Sequence, residues 1–359
     1  LIPEVAGLGL HVPPGLTVAK VVDLVGGDTL IPVLDVSTQE GRSMSMKDWG
    51  VYFCEDTAAE RAAKGRLNVI SLEVSQTALG SLVTTPRVVR EMDWIEVAWK
   101  QRGGDCATKF PHVQLYCLMG VAGSYTDFHI DFGGTSVWYH IVDGEKWFYM
   151  IPPTSRNLKI YQDWSSSQSQ NAVFLPNLVG LDQVRLVKFT TGMTMFIPTG
   201  WIHAVYTPRD TLVFGGNFLH GLAMGLQLKV YQIEKKSGVK KQFTFPYYER
   251  MMFYALEYYV KLLQHGGAKP LQTGADEGEE EKDDEGEEEK DAESPSEEEE
   301  SESTSSSEEE ESESASSSEE DSSSEEEDSS GDEQERAEAR RRQRSEQAKR
   351  RAARKLREQ

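Results

Sequence analysis

Residues 126–154 read TDFHIDFGGTSVWYHIVDGEKWFYMIPPT, and the reading of this stretch decides the fold. Two apolar runs, TSVWYHIV and KWFYMIPP, flank Asp143-Gly144, a dipeptide that favours the two-residue turn between antiparallel strands. The pattern continues outward on both sides. QLYCLMGV precedes the stretch, and VRLVKFT, MTMFIP, IHAVYTP and TLVFGGNFL follow it up to Leu219, each short, apolar and bounded by turn residues. Many short strands separated by Gly, Pro and Asp argue for a β-sandwich or barrel of jelly-roll type. The expected core is therefore mainly β over residues 114–222, with flanking helices.

On the N-terminal side, residues 1–113 read as a mixed α/β segment supporting that core. VAKVVDLVGG and TLIPVLDV look strand-like, Thr57–Lys64 looks helical, and NVISLEVS at 68–75 alternates with β-branched residues. Val88–Lys100 fits either helix or strand. On the C-terminal side, residues 223–267 read as helical, with MGLQLKVYQIEKK and PYYERMMFYALEYYVKLLQ at helical spacing. In the second run Met252, Ala255, Leu256, Tyr259, Val260 and Leu263 would line one face, expected to pack on the β core.

The formal charge of −22 is very unevenly distributed over the 359 residues. Residues 1–270 hold 24 acids and 25 bases, while residues 271–359 hold 36 acids and 13 bases. Residues 268–335 are Glu, Asp, Ser and Gly with almost no apolar side chain, a composition expected to stay disordered because it cannot offset its ordering entropy. Residues 336–359 reverse the sign and consist of good helix formers. The acidic run reads as a solvated linker or as a histone-binding tract. The basic end reads as a nuclear-localisation signal, a DNA-backbone contact or a partner for the acidic run. No stretch approaches the ~18 apolar residues of a bilayer-spanning helix. The opening LIPEVAGLGLHVPP, which lacks the pattern of a secretion signal, is read as the start of an excised domain. Cys54, Cys106 and Cys117, odd in number and irregular in spacing, are expected to be free thiols in a reducing compartment.

His129-Ile130-Asp131 is the first candidate site, because residues i and i+2 of a strand share a face and both can reach one metal. By itself an H-x-D triplet is common. His203, in IPTGWIHAVY after a Pro-Thr-Gly turn, opens a strand that a sandwich can bring alongside, and the three together have the donors of a two-His-one-carboxylate triad for Fe(II). On spacing alone His112, His140 and His220 compete with His203 for the third position. The hairpin supplies a second constellation. With Asp143-Gly144 as a two-residue loop, Lys146 pairs with Ile141 and lies diagonal to Tyr139. A lysine within KWFYMI either reaches back to the rim or is an ammonium awaiting a carboxylate, shared with Tyr139 and a hydroxyl such as Thr126. A metal triad beside a carboxylate-binding lysine points to 2-oxoglutarate.

TDFHIDFGGTSVWYHIVDGEKWFYMIPPT, FIPTGWIHAVYTP and LVFGGNFLHGLAMGLQLKVYQIE resemble the Jumonji-C histone lysine demethylases. Within them the lysine demethylase 2 (F-box Jumonji) branch is nearest, with the plant-homeodomain-finger demethylases as near relatives. LDVSTQEG, MKDWGVYF and NVISLEVS extend the resemblance over Leu1 to Leu263. It implies a double-stranded β-helix of the cupin-like kind, with Fe(II) held by His129, Asp131 and His203. It also implies 2-oxoglutarate held by Thr126, Tyr139 and Lys146, with Asn68 near its iron-bound end. The implied reaction consumes 2-oxoglutarate and O2, gives succinate and CO2, and hydroxylates an N-methyl carbon that leaves as formaldehyde. The implied substrate is mono- or dimethylated lysine thirty-six of the histone H3 tail, on nucleosomes in the nucleus. A protein hydroxylase, a demethylase of another histone lysine and a chromatin-binding scaffold are the alternatives. The zinc-finger, plant-homeodomain, F-box and leucine-rich parts of the family do not appear in this sequence.

Overall fold

The computed structural model describes residues 1–264 except Ser169; the acidic and basic readings of the tail lie outside the described residues. The strands are β1 (Leu30–Asp35), β2 (Glu40–Ser45), β3 (Leu67–Glu73), β4 (Tyr116–Gly120), β5 (Tyr125–His129), β6 (Ser136–Ile151), β7 (Arg185–Thr190), β8 (Thr194–Ile197) and β9 (Ile202–Phe218). The helices are α1 (Val18–Val25), α2 (Met46–Cys54), α3 (Ala58–Lys64), α4 (Arg87–Met92), α5 (Asp105–Thr108), α6 (Ser155–Ser165), α7 (Pro176–Val179), α8 (Met224–Lys236) and α9 (Tyr248–Gln264). No described helix is long and apolar enough to cross a membrane. The three cysteines are free.

The sheet runs β2-β1-β3-β4-β9-β6-β7, with β5 added on β9 and β8 on β6. Its frame is the antiparallel pair β6–β9, matched from Ser136 opposite Phe218 to Ile151 opposite Ile202. Each long strand changes partner along its length. The first half of β6 pairs with β8 and the second half with β7. The first half of β9 pairs with β5 and the second half with β4. Two strands that bend midway and take partners on two levels fold the sheet over on itself, which is the double-stranded, cupin-like β-helix with flanking helices expected above.

The bend overturns the hairpin reading. Asp143-Gly144 is not a two-residue loop; β6 continues through it, opposite Leu212 and Arg209 of β9, with register shifts around Asp143 and Glu145. Gly144 has φ of +101°, and a Cβ there would lie 2.1 Å from the Asp210 carbonyl oxygen. The dipeptide signal is thus real at the level of backbone conformation, but it marks a bulged corner rather than a chain reversal. The bulge also inverts the side-chain alternation. Val137, Tyr139 and Ile141 share one cluster with Phe148 and Met150, although an unbroken period of two would send odd and even residues to opposite faces.

Two other expectations change. VAKVVDLV is helix α1 rather than a strand. Thr17 caps it by accepting from the Lys20 N–H, Gly26 ends it, and Val18 and Val21 are buried. The i, i+3 spacing and the caps outweigh the β-branched composition. Val88–Lys100 resolves as helical, with α4 followed by a π-helical turn over Ile95–Trp99. In α9 the buried residues are Tyr248, Met251 and Ala255, packed with Trp94, Ile95 and Trp99 rather than on the β core. Leu256, Val260 and Leu263 of the expected stripe are 61%, 42% and 82% exposed. Met252, Ala255 and Tyr259 of that stripe do pack in this cluster, so the helix rests on one half of the expected face.

Candidate active site

The end of β5 and the start of β9 place the metal-ligand candidates. His129 at the end of β5 lies directly opposite His203 on β9, across a register shift after Thr126, and their ring centroids are 4.3 Å apart. Asp131 sits just beyond β5, still extended at φ −61° and ψ 139°, before the tight turn Phe132–Gly134. One ligand atom from each of His129, Asp131 and His203 lies within 4.8 Å of the others.

The donor set fits a divalent cation. The Nδ1 atoms of His129 and His203 lie 2.8 Å and 3.1 Å from the carbonyl oxygens of Asp127 and Trp201. A carbonyl can only accept, so these contacts place the protons on Nδ1 and leave both Nε2 lone pairs for a metal. Burial pushes His203 down to about 4, with His129 adding repulsion against a partial offset from Asp131. A neutral imidazole 3.8 Å from the Asp131 carboxylate is therefore not an ion pair but two acceptors facing a common point, as hard and borderline N/O ligands of Fe(II) do. The rivals are engaged elsewhere. His140 Nδ1 bonds the Thr194 hydroxyl at 2.9 Å, His220 bonds Ser136 at 2.8 Å, and His112 lies 3.4 Å from Ser75.

A single cavity of about 770 Å³ is lined by all seven residues singled out in the sequence: Asn68, Thr126, His129, Asp131, Tyr139, Lys146 and His203. Lys146 is 3% exposed, so it does not reach back to solvent. It donates to the Thr207 hydroxyl at 2.7 Å, and no described carboxylate pairs with it. Burial lowers its ammonium to about 7 and raises the Tyr139 phenol. The Asn68 side-chain oxygen is buried without a partner. These groups close in on the Gly120 backbone: a Cβ there would lie 2.8 Å from Lys146 Nζ, 3.1 Å from Asn68 Oδ1 and 3.2 Å from Thr211 Oγ1, so only glycine allows the approach. An ammonium without a carboxylate partner, beside the Thr207 hydroxyl and close to that of Thr211, fits one end of a carboxylate-bearing ligand.

Thr207, Thr211 and Gly120 did not stand out in the sequence. The one available signal was Gly120 itself, since a glycine within a strand run marks close approach to its backbone. Glu234 on α8 and Tyr161 on α6 also line the cavity. A single acid in the run IEKK gives no local sign of such a position.

A folded-over sheet with His-x-Asp at the end of β5 and a distant His on β9 is a cupin-like fold with a candidate metal centre. Residues 116–218 match the family described as "JmjC domain, hydroxylase", and residues 222–272 match the Jumonji helical domain. The chain thus contains a JmjC domain followed by a Jumonji helical domain. Lysine-specific demethylase 2A of Xenopus tropicalis is 46% identical over 264 residues, covering 71% of this chain and 23% of that protein. Lysine-specific demethylase 7A of Mus musculus is 44% identical over 265 residues, covering 74% and 27%. The JmjC domain-containing histone demethylation protein 1 of Caenorhabditis briggsae is 44% identical over 273 residues, covering 72% and 25%. The chain thus spans about a quarter of the length of these relatives.

Proposed function

We propose that this chain is an Fe(II)- and 2-oxoglutarate-dependent histone lysine demethylase, with residues 114–222 as its catalytic core between the 1–113 and 223–267 segments. His129, Asp131 and His203 hold the iron; Thr126, Tyr139 and Lys146 hold the cosubstrate, and Asn68 lies near its iron-bound end. The observation that carries this reading is the convergence of these seven side chains on one cavity. When bound, iron with 2-oxoglutarate and O2 supplies the oxidant that hydroxylates an N-methyl carbon, which is then lost as formaldehyde.

The protein's own part is positioning. The carbonyls of Asp127 and Trp201 fix the imidazole tautomers that present Nε2. Lys146, held by Thr207, offers a desolvated ammonium to the distal carboxylate of the cosubstrate. Tyr139 and Thr126 add hydroxyl donors. Val137, Phe148, Ile197 and Val205 give the cavity apolar walls that keep water away from the reacting centre.

The substrate in this reading is mono- or dimethylated lysine thirty-six of histone H3, presented on the tail or the nucleosome in the nucleus. Relatives named for two demethylase branches stand at 46% and 44% identity, too close to choose between targets. The choice rests on IPPT at 151–154 and AVYTP at 204–208. The basic residues 336–359 would contact DNA. Incubation of the chain with iron, ascorbate, 2-oxoglutarate and a panel of methylated H3 peptides and nucleosomes tests all of this by mass spectrometry. The expected outcome is demethylated dimethyl-lysine-thirty-six peptide with formaldehyde. Absence of turnover on every methyl-lysine substrate, with metal and cosubstrate shown bound, would overturn it. The family description "hydroxylase" favours one second reading, and a stable hydroxylated product without formaldehyde would select it.

A further inference from the structure

The cavity is electrically two-ended. Of its lining residues the only lysine or arginine is Lys146, and the acids are Glu73, Asp131 and Glu234. Asp131 belongs to the metal cluster, and a Glu73 oxygen accepts the Ser75 N–H at 3.0 Å. Glu234 differs from both. It projects from α8, and its Oε1 accepts the Gly133 N–H at 2.7 Å, two residues beyond Asp131. Its Oε2 is buried and has no hydrogen-bond partner among the described residues.

A buried carboxylate oxygen without a donor is costly, so such an atom is rarely left unpaired without a reason. Its position is fixed from both sides. The Gly133 N–H anchors one oxygen, and Gly133 and Gly134 lie so close to the C-terminal helices that added Cβ atoms would meet Tyr248 and Val230 at 3.0 Å. The neighbouring Tyr161 hydroxyl accepts the Ile130 N–H at 3.3 Å and makes no hydrogen bond to Glu234 Oε2. Burial raises the Glu234 carboxyl to about 7, a penalty that an adjacent cation removes. The missing partner is therefore a donor that arrives with the substrate.

We propose that Glu234 is a specificity-determining residue of this cavity: Gly133 holds one carboxylate oxygen in place, and the free oxygen receives the N–H of a mono- or dimethyl-lysine ammonium. This rests on the demethylase reading and adds to it the group that recognises the cation. The two ends of the cavity then sort the two ligands by charge. The dicarboxylate goes to Lys146 and the ammonium to Glu234, with the metal cluster lining the same cavity.

Glu234→Gln tests it, because glutamine keeps an acceptor for the Gly133 N–H while replacing the free carboxylate oxygen with an uncharged amide NH2 that cannot accept the ammonium N–H. The full chain loaded with Mn(II) and 2-oxoglutarate under anaerobic conditions is titrated with a dimethyl-lysine H3 peptide. A second titration uses the same peptide with carbon in place of the charged nitrogen. Glu234→Gln should weaken the cationic peptide by roughly 10- to 100-fold, the loss of one charge-assisted hydrogen bond. Binding of the neutral isostere and of Mn(II) should be unchanged, and the retained Mn(II) affinity reports a folded site. Equal binding of the cationic peptide by both proteins overturns the proposal. So does loss of Mn(II) affinity in the variant, which would assign Glu234 to holding the Asp131 turn. If the wild-type chain binds Mn(II) and 2-oxoglutarate but no methyl-lysine peptide, the demethylase reading falls and this inference falls with it.

Discussion

Strands β3 and β4 show opposite faces to two very different environments. One face carries Leu67, Val69, Cys117 and Met119, all fully buried in a cluster with Trp49 and Met46 of α2. The other carries Asn68, Tyr116 and Leu118, which line the cavity, and Gly120, whose backbone lies close to Lys146 and Asn68. The first face is apolar and its one notable polar atom is used, since Trp49 Nε1 donates to the Met119 sulfur at 3.2 Å. The second face leaves the Asn68 oxygen without a partner, next to a lysine with no counter-charge. The difference separates where the fold gains stability from where it gives some up. Apolar burial supplies the driving force on one side. On the other, polar groups are held out of water in readiness for a ligand.

The comparison breaks first at the metal cluster. His129→Ala and Asp131→Ala remove two of the three proposed metal ligands, neither of which belongs to a hydrophobic cluster. Turnover of methyl-lysine peptide is expected to fall by roughly a thousandfold or more. Metal affinity, read by Mn(II) titration, should fall with it while the thermal midpoint of the metal-free chain stays put. A large drop in that midpoint would show that the cluster is structural. Leu67→Ala acts on the opposite face and in the opposite way. It should cost about 2–5 kcal/mol in urea unfolding and leave kcat of the folded protein unchanged.

How much of this division was legible in the sequence depended on its range. NVISLEVS reads as a strand because alternation is local, and MGLQLKVYQIEKK coincides with α8 because its spacing is local too. His129 and Asp131 are two residues apart, so their shared reach follows from backbone period. His203 could not be separated from His112, His140 and His220 by spacing, because the register that sets it opposite His129 joins strands 74 residues apart in sequence. Asp143-Gly144 failed for the same reason. A positive φ at Gly144 serves a hairpin or a bulged corner equally well, and only pairing with β9 decides. Glu234 was invisible, since its role depends on the Gly133 N–H delivered by a turn from a distant segment.

Lys146 sharpens the comparison through pH. Its folded value, about 7 from burial, lies below the ordinary 10.5. The unfolded chain therefore binds more protons across that window. The penalty is full below about pH 7 and disappears as the pH rises toward about 10.5, so the ligand-free protein should gain stability on going alkaline. Between about pH 7 and pH 9 the gain over a Lys146→Met variant is expected to be about 1–3 kcal/mol. Parallel pH profiles for the two proteins would show instead that the ammonium is already compensated. Binding of 2-oxoglutarate should reverse the effect. A carboxylate beside Nζ restores the charge, so calorimetry near about pH 8 in buffers of different ionisation enthalpy should report proton uptake.

The smallest effect isolates the two faces within a single step along β3. Asn68 follows Leu67, and the strand turns the one toward the cavity and the other into the apolar cluster. Truncating a buried side chain normally destabilises, but the Asn68 oxygen has no partner to lose, and its removal also removes an uncompensated desolvation cost. Asn68→Ala should therefore leave the urea midpoint unchanged or slightly raised, where Leu67→Ala lowers it steeply. Its cost should appear only when the cavity is filled, as a roughly tenfold loss of 2-oxoglutarate affinity, because the side-chain amide N–H, the donor of the pair, is no longer there for a cosubstrate oxygen. Equal destabilisation by Asn68→Ala and Leu67→Ala would mean that both faces of β3 are ordinary core. Unchanged 2-oxoglutarate affinity would instead free the Asn68 amide from any part in holding the cosubstrate.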